Sequence, residues 1–192
     1  MHTRLATFAV LVGALSFALW ARPSAPAPDT FCGHAYAHVP AIEPESIGPL
    51  RLGVPMLVLK RSCPGARDTT FGRYDAFYVT AFGSRIDVLG DRSGQPVGDQ
   101  VALAIRVSGG ARLRTTDGIG PGVKLRDAER VWGRPLVGGC PAGYSHAYNF
   151  PHRQNLSLDF AADCHGSRTG GDVSTYPDSL TIQAVEIFVP LE

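Results

Sequence analysis

The sequence predicts an α+β protein built from two tandem helix-plus-antiparallel-strand units, whose strands form a sheet packed on short helices. Three observations carry that prediction. A glycine-punctuated entry into a short helix occurs twice, at SIGPLRLGVPMLVLKRSCPG from Ser46 and at TTDGIGPGVKLRDAERVWGRP from Thr115. Aligning Gly53 with Gly122 also matches Leu50 with Ile119, Val54 with Val123 and Met56 with Leu125; self-similarity of this kind points to repeated structure. With 22 Gly and 15 Pro in 192 residues, the chain favours many turns and short antiparallel strands over a helical bundle. The resulting division is a signal peptide and Pro-rich spacer over 1–27, a first unit over 28–114 and a second over 115–192.

The elements follow in order. Arg4, the uncharged apolar run from Leu5 to Trp20 and the small-residue exit ARPSAPAP have the three parts of an export signal. The expected location is therefore periplasmic or secreted, with membrane contact only if this segment is retained as an anchor. Pro55 suits the first turn of a helix, where its missing N–H has no partner to lose. MLVLKRSC continues that helix to Pro64 and Gly65, and its nearly all-round apolarity predicts burial on more than one side. DAFYVTAFGSRIDVL reads as a hairpin about Phe82, Gly83 and Ser84. In QVALAIRV the residues Val101, Leu103, Ile105 and Val107 alternate with smaller or polar ones, as in a half-buried strand. The second helix is expected over Val123 to Trp132, ended by Gly133 and Pro135. LTIQAVEIFVP is the final strand, with a bulge expected near Val185, where alternation breaks.

Four cysteines follow the leader, and an even count in an exported chain implies two disulfides with three possible connectivities. Hairpin geometry selects among them. If CPAGYSHAYNF and QNLSLDFAADC pair across the loop Pro151, His152 and Arg153, then His146 faces Leu158, Tyr148 faces Leu156, and Cys140 lies opposite Cys164. Cys32 then pairs with Cys63 by elimination. The same register puts Tyr144, Tyr148, Phe150, Leu156, Leu158 and Phe160 on one face and Ser157 and Asp159 on the other.

Formal net charge is +1, from 18 Lys and Arg against 17 Asp and Glu, so no general field attracts nucleic acid. His34 and His38 have helical i, i+4 spacing, but Pro40 limits a helix and no acidic third ligand accompanies them, so no metal site is assigned. No cofactor motif is found. The GIGPG turn is read as positioning its helix rather than cradling an anion, because the longer phosphate-loop pattern is missing. Asp159, Asp163, His165 and Asp172 form a possible acid and base cluster, but no spacing selects a pair.

The block RVSGGARLRTTDGIGPGVKLRDAERVWGRP resembles exported, mostly uncharacterised bacterial proteins in which a Thr-x-x-Gly-Ile-x-x-Gly turn leads into a short helix; the matching positions are Thr115, Gly118, Ile119, Gly122 and Gly133. In outline the arrangement is similar to the tandem units of secreted β-lactamase inhibitor proteins and to small outer-membrane assembly lipoproteins. The resemblance departs at Val123 and Lys124, where a capping Ser or Thr is usual, and in lacking a lipid-attachment Cys. It implies fold, compartment and binding rather than catalysis. The expected function is thus an exported, non-enzymatic protein, inhibitor-like, that binds another protein or an envelope component. Its candidate contact residues are Tyr144, His146 and Tyr148, with Trp132 and Tyr176 as further aromatics. The alternative is a cell-envelope hydrolase using Asp163, His165 and Asp172.

Overall fold

The computed structural model describes residues 29–91, 100–138, 145–148, 150–160 and 177–189. The leader, Cys140, Tyr144, Asp163, Cys164, His165, Asp172 and Tyr176 lie outside them, and with these residues the second expected disulfide and the expected acid–base cluster.

The fold is mostly β, which corrects the α+β expectation of helix-plus-strand units. Two short hairpins open the described chain: β1 (Asp29–Phe31) with β2 (His34–Tyr36), and β3 (Ser46–Ile47) with β4 (Leu50–Arg51). Helix α1 (Met56–Ser62) precedes β5 (Arg67–Phe71), β6 (Tyr74–Ala81), β7 (Ser84–Gly90) and β8 (Ala102–Ser108). Helix α2 (Leu125–Trp132) precedes β9 (Leu136–Gly138), β10 (Ser145–Tyr148), β11 (Leu156–Phe160) and β12 (Ile182–Phe188). Strands β5 to β12 form one antiparallel eight-stranded sheet in the order β5-β6-β7-β8-β12-β11-β10-β9. The helices, of seven and eight residues, are too short to make a layer of their own. Instead they plug one face of a sheet that runs unbroken across the expected unit boundary through the β8–β12 pair.

Local chemistry explains the elements. The β6–β7 hairpin closes on Ala81 and Ser84, with Phe82 and Gly83 both at positive φ (53° and 76°), the geometry that matches the twist of a two-residue hairpin. The two pre-helix turns dock in the same way. Gly53 N–H donates to Ala102 C=O, Ala102 N–H to Val54 C=O and Met56 N–H to Gln100 C=O. Likewise Gly122 N–H donates to Ile182 C=O, Ile182 N–H to Val123 C=O and Leu125 N–H to Leu180 C=O. Gly53 and Gly122 sit at φ 74° and 86°, a region that glycine enters without steric cost.

One core lies between the sheet and the helices. Met56 and Leu59 of α1 and Leu125, Ala128 and Trp132 of α2 pack with Phe77, Val88, Ile105, Leu158 and Val185. Helix α1 is buried on one side only, since Leu57 and Val58 are exposed, against the all-round burial expected. Trp132 is 1 % exposed and meets Phe150 edge-on at 5.3 Å, so it is core and not a contact aromatic. The Cys32–Cys63 disulfide is present and ties the β1–β2 turn to the end of α1. On the chain-entropy account a bridge across a loop of this size, a separation of 31 residues, contributes roughly 4 kcal/mol.

The hairpin register differs from the expected one by a single residue. His146 pairs with Asp159 and Ala147 with Leu158, because the turn closes earlier, on Phe150 and Arg153, and leaves extra residues before β11. A one-residue slip exchanges faces. Ala147 therefore shares a face with Leu158, and the register that set His146 opposite Leu158 does not hold; the expected Cys140–Cys164 pair lies outside the described residues. The bulge in the last strand falls at Gln183, which the β11–β12 pairing skips, rather than near Val185.

The Thr-x-x-Gly-Ile turn is held from within. Thr115 N–H donates to Ile119 C=O, Gly118 N–H to Thr115 C=O, and Ile119 N–H to the buried Thr115 hydroxyl at 3.1 Å. Between Thr115 and Gly118, Asp117 accepts the Trp132 indole N–H at 2.8 Å and pairs with Arg153. The indole hydrogen bond, followed by the Arg153 contact, holds the Asp117 carboxyl below the usual carboxylate range. A carboxylate with a lowered folded-state pKa adds stability that is fully present above the unfolded value, here 3.8, and is lost as pH falls through the folded value. Asp117→Asn is therefore expected to lower the melting temperature at pH 7 and to flatten its fall in acid. Thermal melts from pH 7 down to pH 2 check this, and parallel wild-type and variant curves would refute it.

Candidate functional site

The sheet face opposite the helices carries the polar chemistry. Cross-strand register alone builds its rows, because directly opposed residues share a face. Arg67 of β5 pairs with Tyr78 of β6, Tyr78 with Asp87 of β7, Asp87 with Arg106 of β8, Arg106 with Glu186 of β12, and Glu186 with Ser157 of β11. Beside this polar row on one side runs Thr69, Ala76, Leu89, Ala104 and Phe188. On the other side runs Thr80, Arg85, Ser108, Ala184 and Asp159. The middle of the apolar row is buried, with Tyr74 and Phe188 packed against Ala76, Leu89 and Ala104.

This face is concave. The Arg106 guanidinium lies 5.0 Å from the centroid of the Phe71 ring, yet Phe71 is on β5 and Arg106 on β8. In a flat sheet their Cα atoms stand about 19 Å apart, from three strand spacings of about 4.8 Å and the four residues, about 13 Å, between Phe71 and Arg67 at the end of the Arg106 row, which is more than the two side chains can span. Only a sheet curled toward this side brings the two side chains together.

Two ion pairs set the electrostatics. Arg85 donates from Nη2 and Nε to Asp87 at 2.7 and 2.9 Å, and its guanidinium stacks 4.0 Å over the Tyr78 ring. The Asp87 hydrogen bond raises the Arg85 pKa above its ordinary value. Arg106 donates from Nη2 and Nε to Asp159 at 2.8 and 2.9 Å. Exposure is uneven within the first pair: the Asp87 side chain is 2 % exposed and that of Arg85 46 %. Low-dielectric surroundings strengthen such charge-assisted bonds and fix the guanidinium planes.

Two hollows flank the face. One, of about 340 Å³, is lined by Arg67, Tyr78 and Thr80 together with Gly33 and Pro64 beside the disulfide. The other, of about 530 Å³, is lined by Arg106, Ser108, Gly110, Pro121 and Gln183.

The expected residues distribute as follows. His146 stands opposite Asp159 on β10, and Tyr148 is paired with Leu136 of β9. Asp159, grouped by the sequence with Asp163, His165 and Asp172, is 3 % exposed and bonded to Arg106. His34 lies on strand β2 rather than a helix, so the i, i+4 relation to His38 does not arise; both are exposed. The GIGPG turn is not an anion cradle, since the N–H groups of Gly118, Ile119, Gly122 and Val123 donate to Thr115, Thr115, Ile182 and Gly120. The residues missed were Arg67, Tyr78, Arg85, Asp87 and Arg106. Their signal was the charged pair Arg85 and Asp87 at period two inside the otherwise apolar RIDVL.

Comparison with known proteins reaches only the fold. No family model matches the chain, and no curated protein matches it. The crystal structure of the uncharacterized protein YfeY from Escherichia coli is similar, with a TM-score of 0.52 at 11 % identity, covering 78 % of this chain and 99 % of that one. The class thus defined is a mostly-β protein of one curled antiparallel sheet; the similarity speaks for its architecture alone.

Proposed function

We propose that the chain is an exported, non-enzymatic binding protein that takes another protein or an envelope component on the concave face of its sheet. The observation that carries this reading is the Arg85 guanidinium, held over the Tyr78 ring by the buried Asp87 and still half open. Arg and Tyr anchors of this kind dominate binding surfaces, and preorganisation lowers the entropic cost of association. The buried acids of the face, Asp87 and Asp159, are each bonded to a guanidinium, an arrangement that suits scaffolding better than proton transfer. Export rests on the leader-like N-terminus, with which the Cys32–Cys63 disulfide is compatible. Among the described residues no helix is long and apolar enough to cross a membrane.

The test is site-specific crosslinking. A photoreactive residue at Thr80, exposed on the concave face, is expected to capture a specific partner in native envelope preparations. The same group at Val131, exposed on α2, is expected not to. Equal capture at both positions, or none at Thr80 with the fold intact, would remove the concave face as the binding surface.

A further inference from the structure

We infer that the concave face recognises an acidic, extended segment of a partner protein, an inference that rests on the binding role proposed above and adds the chemistry of what is bound. The route is the row Thr80, Arg85 and Ser108. It crosses two strand spacings, about 10 Å, the reach of about three extended residues. One end opens into the hollow lined by Arg67, Tyr78 and Thr80, the other into the hollow lined by Arg106 and Ser108. The ring-stacked Arg85 stands midway.

Along this route charge is sorted by depth. The carboxylates of Asp87 and Asp159 have 2 % and 4 % of their side chains exposed, whereas Arg85 has 46 %, and Arg67 is exposed with no ion pair among the described residues. Glu186 is half-buried beside Arg106 and off this route, so along the route an incoming chain meets the guanidinium edges of Arg67 and Arg85 before it meets acid. Arg85 spends Nε and Nη2 on Asp87, which leaves Nη1 directed to other acceptors, and a planar fork matches a carboxylate. Curvature decides between a protein segment and a lipid surface: a concave sheet receives a protruding chain, and a bilayer cannot follow it inward.

The experiment titrates the full chain with a fluorescent octapeptide of alternating Glu and Leu, with Gln–Leu and Lys–Leu counterparts, and with phosphatidylglycerol vesicles. The Glu peptide is expected to bind at least tenfold more tightly than either counterpart, and to weaken with added salt. Arg67→Glu removes no buried partner and is expected to weaken it tenfold or more. Arg85→Gln is expected to act likewise, and Arg130→Gln on α2 to change nothing, with circular dichroism unaltered in all three. Equal affinity for the Gln peptide, indifference to Arg67→Glu, or binding to vesicles but not to peptide overturns the inference. Capture at Thr80 without acid preference defeats this inference alone, whereas failure of Thr80 capture defeats the binding role with it.

Discussion

Trp132→Ala is expected to lower the unfolding free energy by about 3–5 kcal/mol, the range for emptying a large aromatic site in a core. The ring is 1 % exposed, meets Phe150 edge-on, and donates its indole N–H to Asp117 at 2.8 Å. Truncation thus opens a cavity under α2 and also frees the carboxylate that pins the Thr115 turn. Trp132→Phe separates the two effects. It keeps most of the packing and loses the hydrogen bond to a charged acceptor, for which about 1.5–3 kcal/mol is typical. Urea titrations of both variants measure the split. A loss below about 1 kcal/mol for Trp132→Ala would mean that α2 is not anchored by this residue.

The second large effect concerns the pair inside the sheet face. Arg106→Met is expected to cost about 3–5 kcal/mol, because it takes the guanidinium from a carboxylate that cannot be rehydrated in place. The side chains of Arg106 and Asp159 are 11 % and 4 % exposed. Replacing both, as Arg106→Met with Asp159→Leu, is expected to recover most of that loss, since two apolar residues of similar volume often match a buried ion pair or exceed it. The double-mutant cycle is read by denaturant midpoint. A double variant as unstable as the single one would show that the charge contributes through other neighbours.

Much of the fold was legible because it is written in turns. Pro55, Gly122 and Gly133 mark where α1 begins and α2 is bounded, and the aligned glycines are those whose backbones make matching hydrogen bonds to the sheet. The β6–β7 hairpin showed itself through alternation about Phe82 and Gly83. Strand β5 did not, because RDTTF is a polar edge strand with almost no buried residue. The fold class went astray because two helix signals were given the weight of layers, although each helix spans two turns. The last hairpin went astray by one residue, since a turn closed on Phe150 and Arg153 is as compatible with the apolar pattern as a longer loop. The candidate site was least legible of all. Asp87, Arg106 and Asp159 come from three strands, and only register between distant segments brings them together. Asp159 lay on the expected polar face, but every residue of β11 is buried, so a polar face there is not a wet one.

Strand β12 sits in the middle of the sheet, between β8 and β11, and it is the last described strand in the chain. The centre of the sheet therefore waits until residues 182–188 have been made. Strands β5 to β8 can form from neighbours in sequence, but β8 keeps one open edge until Ile182–Phe188 arrives. Closing such a long loop before any contact rewards it slows folding, and an unpaired strand edge templates association with other chains. A chain stalled before residue 182 would expose two such edges, on β8 and β11, which makes the arrival of β12 the step that separates a closed sheet from one open to association.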